Sequence, residues 1–153
     1  MLFLSYLVKL IYLENIFFAM SECIFCKIAN GEIPSFKLFE DDDVLAFLDV
    51  NPVSEGHLLV IPKDHHENIF EIPEEKLRRI SEVCKDMSML CKEKLGATGV
   101  NVLNASGKDA QQSVFHIHFH VIPRSSGDGL DLQFHGRSLD SDKMKEIQKT
   151  LLS

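Results

Sequence analysis

Between Phe115 and Arg124 the chain reads Phe-His-Ile-His-Phe-His-Val-Ile-Pro-Arg, so that His116, His118 and His120 alternate with apolar residues. Alternation with a period of two marks a β-strand whose faces meet different surroundings. Read that way, Phe115, Ile117, Phe119 and Val121 form a face that can be buried. The three imidazoles line the other face, with successive Cα atoms about 6.5–7 Å apart. A row of imidazoles on a core-backed strand is costly unless each ring has a partner. Three within five residues, in a chain with seven histidines, are too many for a solvent face that carries them by chance. The run calls for a central strand and for one of two chemistries, metal ligation or phosphate work.

Geometry favours the second. Rings at i, i+2 and i+4 spread over about 13–14 Å of strand, whereas nitrogens on one zinc must converge to ~2.1 Å from it. A phosphoryl group is larger, and two alternate histidines can grip successive parts of it. A histidine nitrogen can also attack phosphorus, splitting one hard displacement into two easier ones. The attacking nitrogen must be unprotonated, so its ring partner needs a fixed acceptor. Clustered imidazoles titrate as a set.

The rest of the chain supplies the frame. Ile24–Ala29 is predicted as a short helix stopped by Asn30-Gly31. Lys37–Glu40 and Val44–Leu48 read as a hairpin turning at Asp41–Asp43. After the loop Asn51–Gly56, the apolar run His57–Pro62 reads as a central strand. Pro73 suits a first helical position, with Glu74 and Glu75 at the positive end of the macrodipole. Leu77, Ile80, Cys84, Met87 and Cys91 recur at helical spacing up to Leu95, where Gly96 ends the helix. Gly99–Asn104 is predicted as a strand and Ala105–Gln112 as a polar loop in which Gly107 permits close backbone approach. Phe115–Pro123 is the histidine strand. Ser141 is expected to cap a last helix that turns Met144, Ile147 and Leu151 inward. Antiparallel strands with segregated helices make an α+β domain.

A net charge of −7 argues against a surface that coats nucleic acid, which would leave a basic footprint. A small nucleotide needs only local donors. Met1–Met20 is almost wholly apolar and about long enough to span a bilayer. Lys9 and Glu14 lie inside it, however, and a mid-membrane charge costs roughly 2.5–3.5 kcal/mol. We expect residues 1–20 to be an extension outside a catalytic domain at 21–153, with a membrane anchor as the alternative. Cys84 and Cys91 fall on the apolar stripe of the long helix and read as small hydrophobes. Cys23 and Cys26 form a CxxC that suits a tetrahedral metal, a redox dithiol or coincidence.

The pattern His-apolar-His-apolar-His-apolar-apolar at His116–Ile122 resembles the signature of the histidine triad (HIT) superfamily of nucleotidyl hydrolases and transferases. Ile24–Ile28, Gly31–Pro34, Ala46–Asp49, His57–Lys63 and Gln112-Ser113 resemble further landmarks of that family, in its order, across nearly all of Ser21–Arg124. The resemblance implies a HIT-like fold: about five antiparallel strands, a short N-terminal helix, a long helix and a C-terminal helix, with the sheet extended by homodimerisation. It makes His118 the nucleophile, oriented by the His116 carbonyl, and places His120 on the phosphoryl oxygens or leaving group with His57 as a buttress. Ser113, Gln112 and Asn104 would supply donors to the phosphoryl group. Asp49 would accept from the ribose hydroxyls, and Phe25, Ile28 and Phe47, with Ile24, would sandwich a purine.

In the cysteine-bearing branch of the family zinc is held by two cysteines and two histidines, by position Cys23, Cys26, His65 and His116. Such a closed site is structural, and its loss should destabilise more than it directly deactivates. No organic cofactor is implied. The implied activity is hydrolysis of purine nucleoside 5′-phosphoramidates or related derivatives by a cytoplasmic enzyme. The alternatives are a dinucleoside polyphosphate hydrolase, which the exit Ile122-Pro123-Arg124 with Gly127-Asp128 resembles more closely, and a nucleotide-binding scaffold.

Overall fold

The computed structural model describes residues 23–132 and 136–153; the segment 1–20 and the expected domain boundary at 21 lie outside the described residues. An antiparallel sheet runs in the order β1-β2-β3-β5-β4. Its strands are β1 Lys37–Glu40, β2 Val44–Leu48, β3 Leu58–Pro62, β4 Gly99–Leu103 and β5 Phe119–Arg124. The β1–β2 turn closes on Asp41, whose Oδ1 accepts from the backbone N–H of Asp43 and Val44, the local bonding that suits Asp to tight turns. Arg79 donates to the other carboxylate oxygen of Asp41 at 2.7 and 2.9 Å, tying the turn to the long helix.

Two helices cover opposite faces of β2 and β3, which is why those strands read as continuous apolar runs. The long helix α2, Glu74–Leu95, turns Ile80, Val83, Cys84, Met87 and Cys91 onto Val44, Ala46, Leu58 and Val60. The alternate residues Leu45, Phe47, Leu59 and Ile61 meet the short helix α1, Ile24–Ala29, through Phe25, Cys26, Ile28 and Ala29. Gly96 ends α2 in the left-handed conformation at φ 69°, which costs a residue without Cβ little. Pro73, expected at the first helical position, is instead the cap residue in extended conformation, and the helix begins one residue later at Glu74.

Several expectations are corrected. The histidine strand is shorter than Phe115–Pro123: it begins at Phe119 and ends at Arg124, so His116 and His118 precede it. Main-chain groups there bond elsewhere, with Ile117 N–H on the His66 carbonyl and the His118 carbonyl accepting from the Asn104 amide. Phe115, expected in the buried face, is 48% exposed for the same reason. The last helix, α3 at Ser141–Leu151, is capped by Asp140, which accepts from Lys143 N–H, and not by Ser141. Its apolar residues Met144, Ile147 and Leu151 are exposed, not turned inward, because none of its residues is buried. The β4 strand stops at Leu103, one residue earlier than expected.

Candidate active site

Register puts His120 opposite Leu59 of β3 and Leu103 of β4, on the α1 face of the sheet. His57, just before β3, donates or accepts with it through Nε2 to His120 Nδ1 at 2.9 Å. The proton can be placed from the other end. His57 Nδ1 accepts from the Val53 backbone N–H at 3.2 Å, so Nε2 carries the hydrogen and donates to His120 Nδ1. His120 then carries its own hydrogen on Nε2, where it can be given away. A second chain of bonds fixes His118. Its Nδ1–H donates to the His116 carbonyl at 2.8 Å, leaving Nε2 with a lone pair. The ring centroids of His118 and His120 are 5.1 Å apart, so the lone pair and the donor belong to one small site.

Burial keeps these rings neutral. It is the largest cause lowering the pKa of His57 and of His118, and it pushes His120 down to about 4 with help from neighbouring His118 and His57. Asp49 opposes the shift in each but does not reverse it. A neutral imidazole is what a nitrogen nucleophile requires.

His118 and His120 line a cavity of about 480 Å³ together with Phe25, Ile28, Phe47, Leu59, Asp49 and Ser113. That size and a mostly apolar lining with a few convergent polar groups suit a small organic ligand. Phe25 stands edge-on to Phe47 at 5.9 Å and to His118 at 5.2 Å between ring centroids. Asp49 Oδ1 accepts from Asn51 N–H at 2.8 Å, and Oδ2 stands 3.6 Å from His57 Nδ1.

Two other expected residues sit behind the site. Asn104 donates to the His118 carbonyl at 2.9 Å and accepts from Ser106. Gln112, buried, accepts from Gly107 N–H and donates to the carbonyls of Glu67 and Val114. Both shape the loop that carries Ser113. Arg124, near the polyphosphate-like exit, is engaged by both carboxylate oxygens of Asp128 and by Asn101. The sequence reading missed Ile33, Phe36 and Val114 in the cavity wall. It also missed the Val53 N–H donor and the Pro62 carbonyl acceptor, since backbone groups leave no residue-type signal.

On the far side of His116 lies a second cluster. Cys23, Cys26, His65 and His116 each offer an atom, all within 4.8 Å of one another. Cys26 Sγ is 3.3 Å from His65 Nδ1 and 3.5 Å from His116 Nδ1, and Cys23 Sγ is 3.4 Å from His116 Nδ1. A tetrahedral Cys₂His₂ zinc site has sulfur–nitrogen edges of about 3.6 Å, given bonds of ~2.3 and ~2.1 Å. The four residues therefore fit a metal ion. His116 Nε2–H donates to the Pro62 carbonyl at 2.9 Å, which turns the Nδ1 lone pair to the sulfurs, as an outer hydrogen bond does for a metal-binding histidine. Burial, then the neighbouring Cys23, push the Cys26 thiol up to about 12, so a cation would have to ionise it on binding.

The triad is thus divided. His116 turns to the sulfurs, and His118 and His120 turn to the cavity.

Residues 30–127 match the HIT domain. A HIT-like protein of Borreliella burgdorferi is 46% identical over 131 residues, 84% of this chain and 94% of its own. The adenosine 5′-monophosphoramidase of Saccharomyces cerevisiae is 42% identical over 132 residues, 86% of this chain and 81% of its own. Among solved structures, a HIT family member from Bacillus subtilis superposes with a TM-score of 0.80 at 39% identity, covering 86% of this chain and 95% of that one. A Zn-bound histidine triad family protein from Mycobacterium smegmatis gives 0.71 at 35% identity, covering 87% and 94%.

Proposed function

This chain belongs to the HIT domain family, and on that premise we propose that it hydrolyses purine nucleoside 5′-phosphoramidates or closely related nucleoside phosphate derivatives. The observation that carries the reading is the His118 ring: Nδ1–H held by the His116 carbonyl at 2.8 Å, Nε2 unprotonated, lining a mostly apolar cavity that Asp49 also lines. A scaffold that only binds has no use for an unprotonated nucleophile set beside a proton donor.

In the first step His118 Nε2 bonds to phosphorus and the phosphorus–nitrogen bond of the substrate breaks. Binding of the anionic phosphoryl group would bring one proton onto the hydrogen-bonded His57–His120 pair, and His120 Nε2–H then protonates the departing amine, returning the pair to neutral. In the second step water attacks phosphorus, its proton restores His120, and the bond to His118 breaks to release the nucleoside monophosphate. Ser113 and backbone N–H groups of its loop would stabilise the phosphoryl oxygens, since catalysis here rests on pre-aimed donors. Asp49 would hold the ribose hydroxyls and Phe25, Ile28 and Phe47 the base. The yeast relative's activity supports this choice of substrate.

Zinc is the metal we assign to Cys23, Cys26, His65 and His116, supported by the donor set and the Zn-bound relative. With all four positions taken by protein, it would act as a structural tie. Four unpaired cysteines suit a reducing cytoplasm, and no helix among the described residues is long and apolar enough to cross a membrane. The free edge of β4 supports a homodimer joined there.

Parallel assays with adenosine phosphoramidate, diadenosine triphosphate and diadenosine tetraphosphate test the proposal. The phosphoramidate should have the highest kcat/KM. Preference for a dinucleotide would replace the reading with a polyphosphate hydrolase, and tight mononucleotide binding without turnover would replace it with a scaffold.

A further inference from the structure

His116 belongs to both clusters at once. Its Nδ1 faces the sulfurs of Cys23 and Cys26, and its carbonyl accepts the Nδ1–H of His118. We infer that His116 is a positioning residue through which metal occupancy sets the alignment of the His118 nucleophile and of the base wall, so that the metal governs turnover as well as stability. This rests on the reading of His118 as nucleophile given above.

Three physical links join the metal ligands to the site. The first is the His116 carbonyl, which fixes the His118 tautomer over a single 2.8 Å bond. Rotation of residue 116 moves that acceptor directly. The second runs through α1. Phe25, whose ring faces Phe47, His116 and His118, lies between the two cysteines in sequence. At six residues, with no side-chain cap, α1 is too short to hold itself. The CxxC ligands would pin both ends of the turn that presents this ring. The third is the turn after β3, which carries His65. His116 Nε2–H bonds the Pro62 carbonyl and Ile117 N–H bonds the His66 carbonyl at 2.7 Å. The turn and the nucleophile segment are thus strapped together on either side of His65.

Loss of the ion would leave two thiols, buried and at 3.3–3.5 Å from imidazole nitrogens, free to separate. The nucleophile segment has no strand ladder of its own before Phe119 to hold it. A displacement near 1 Å in such a site can cost on the order of a hundredfold in rate.

The test uses the full chain. Cobalt is first exchanged into the Cys₂His₂ site and adenosine monophosphate is titrated in. Because coupling is reciprocal, the cobalt–thiolate absorption bands should shift with the same saturation curve as nucleotide binding. The metal is then removed with a chelator, and folding is confirmed by circular dichroism. Ring ¹⁵N shifts should show His118 leaving its single Nδ1–H tautomer for a mixture. Turnover of adenosine phosphoramidate should fall at least tenfold in kcat.

Cys84→Ala, in the α2 core, is the structural control: it should lower Tm yet leave the tautomer unchanged and kcat within twofold. Absence of bound metal, or a folded metal-free protein with unchanged tautomer and kcat, would overturn the inference. If the metal-free chain unfolds, cobalt bands that stay silent at saturating nucleotide would overturn it alone. If the loaded enzyme turns over no phosphoramidate, the functional reading fails while the tautomer comparison still decides the coupling.

Discussion

Replacing His57 with alanine separates the proton chemistry from the nucleophile. His57 is 3% exposed and bridges the Val53 N–H, at 3.2 Å, to His120 Nδ1, at 2.9 Å. Its loss leaves the Val53 donor unpartnered and a ring-sized void. Val53 is 53% exposed, so water can meet its N–H, and the cost lies in the buried void, for which we expect a stability loss on the order of 2–4 kcal/mol. The kinetic effect has a different origin. Without the Nε2–H of His57, His120 is free to carry its hydrogen on either nitrogen, and only Nε2–H can reach the leaving group. General-acid assistance contributes roughly 10²–10⁴-fold, so kcat for the phosphoramidate should fall by about 10²-fold. KM should stay within about threefold, because His57 does not line the cavity. The decisive assay compares single-turnover rates for an amine leaving group, which must be protonated, and a nitrophenolate ester of the same nucleotide, which need not be. The deficit should shrink to about threefold for the ester. Equal losses on both substrates would refute the assignment of His57 to the proton on His120.

His118→Asn should abolish nearly all turnover while adenosine monophosphate binding by calorimetry stays within a few-fold; a variant turning over at near wild-type rate would remove His118 as nucleophile. Burial lowers the pKa of His118 below that of a free histidine, so the reactive form persists on acidification. The acid limb of kcat/KM should therefore fall below pH 6.5, and a midpoint at or above 6.5 would contradict the neutral cluster. A chain started at Met20 should be active, dimeric by light scattering and carry about one zinc per chain by metal analysis; loss of activity would assign residues 1–19 to the fold. Cys23→Ser should reduce that zinc and lower Tm, and equal stability without metal would leave the CxxC with no role.

The elements that the sequence reading placed best are those whose burial is two-sided or strongly periodic. Val44–Leu48 and the run ending at Pro62 are apolar throughout because α1 and α2 cover both faces. The stripe from Ile80 to Cys91 follows helical spacing because a single face meets the sheet. The expectation for α3 failed for the converse reason. Met144, Ile147 and Leu151 have the spacing of an inward face, but periodicity states only that a helix has an apolar side, not that anything in the same chain covers it.

The site was legible as residue types and, through the family resemblance, in the bond from His118 to the His116 carbonyl, but not in most of its other bonds. Alternation at Phe115–Val121 correctly brought His118 and His120 to one place, yet it predicted a regular strand through all three histidines. The bonds that would make a ladder instead go to His66, Asn104 and the ring of His118 itself. His116 meanwhile sets its Nδ1 against the sulfurs of Cys23 and Cys26. Phe25 of α1 meets the rings of His116 and His118 alike, and what the irregular backbone adds is the His116 carbonyl as acceptor for His118. The start of the strand at Phe119 leaves that carbonyl outside any ladder and open to His118, and no period-two pattern can reveal where a ladder stops.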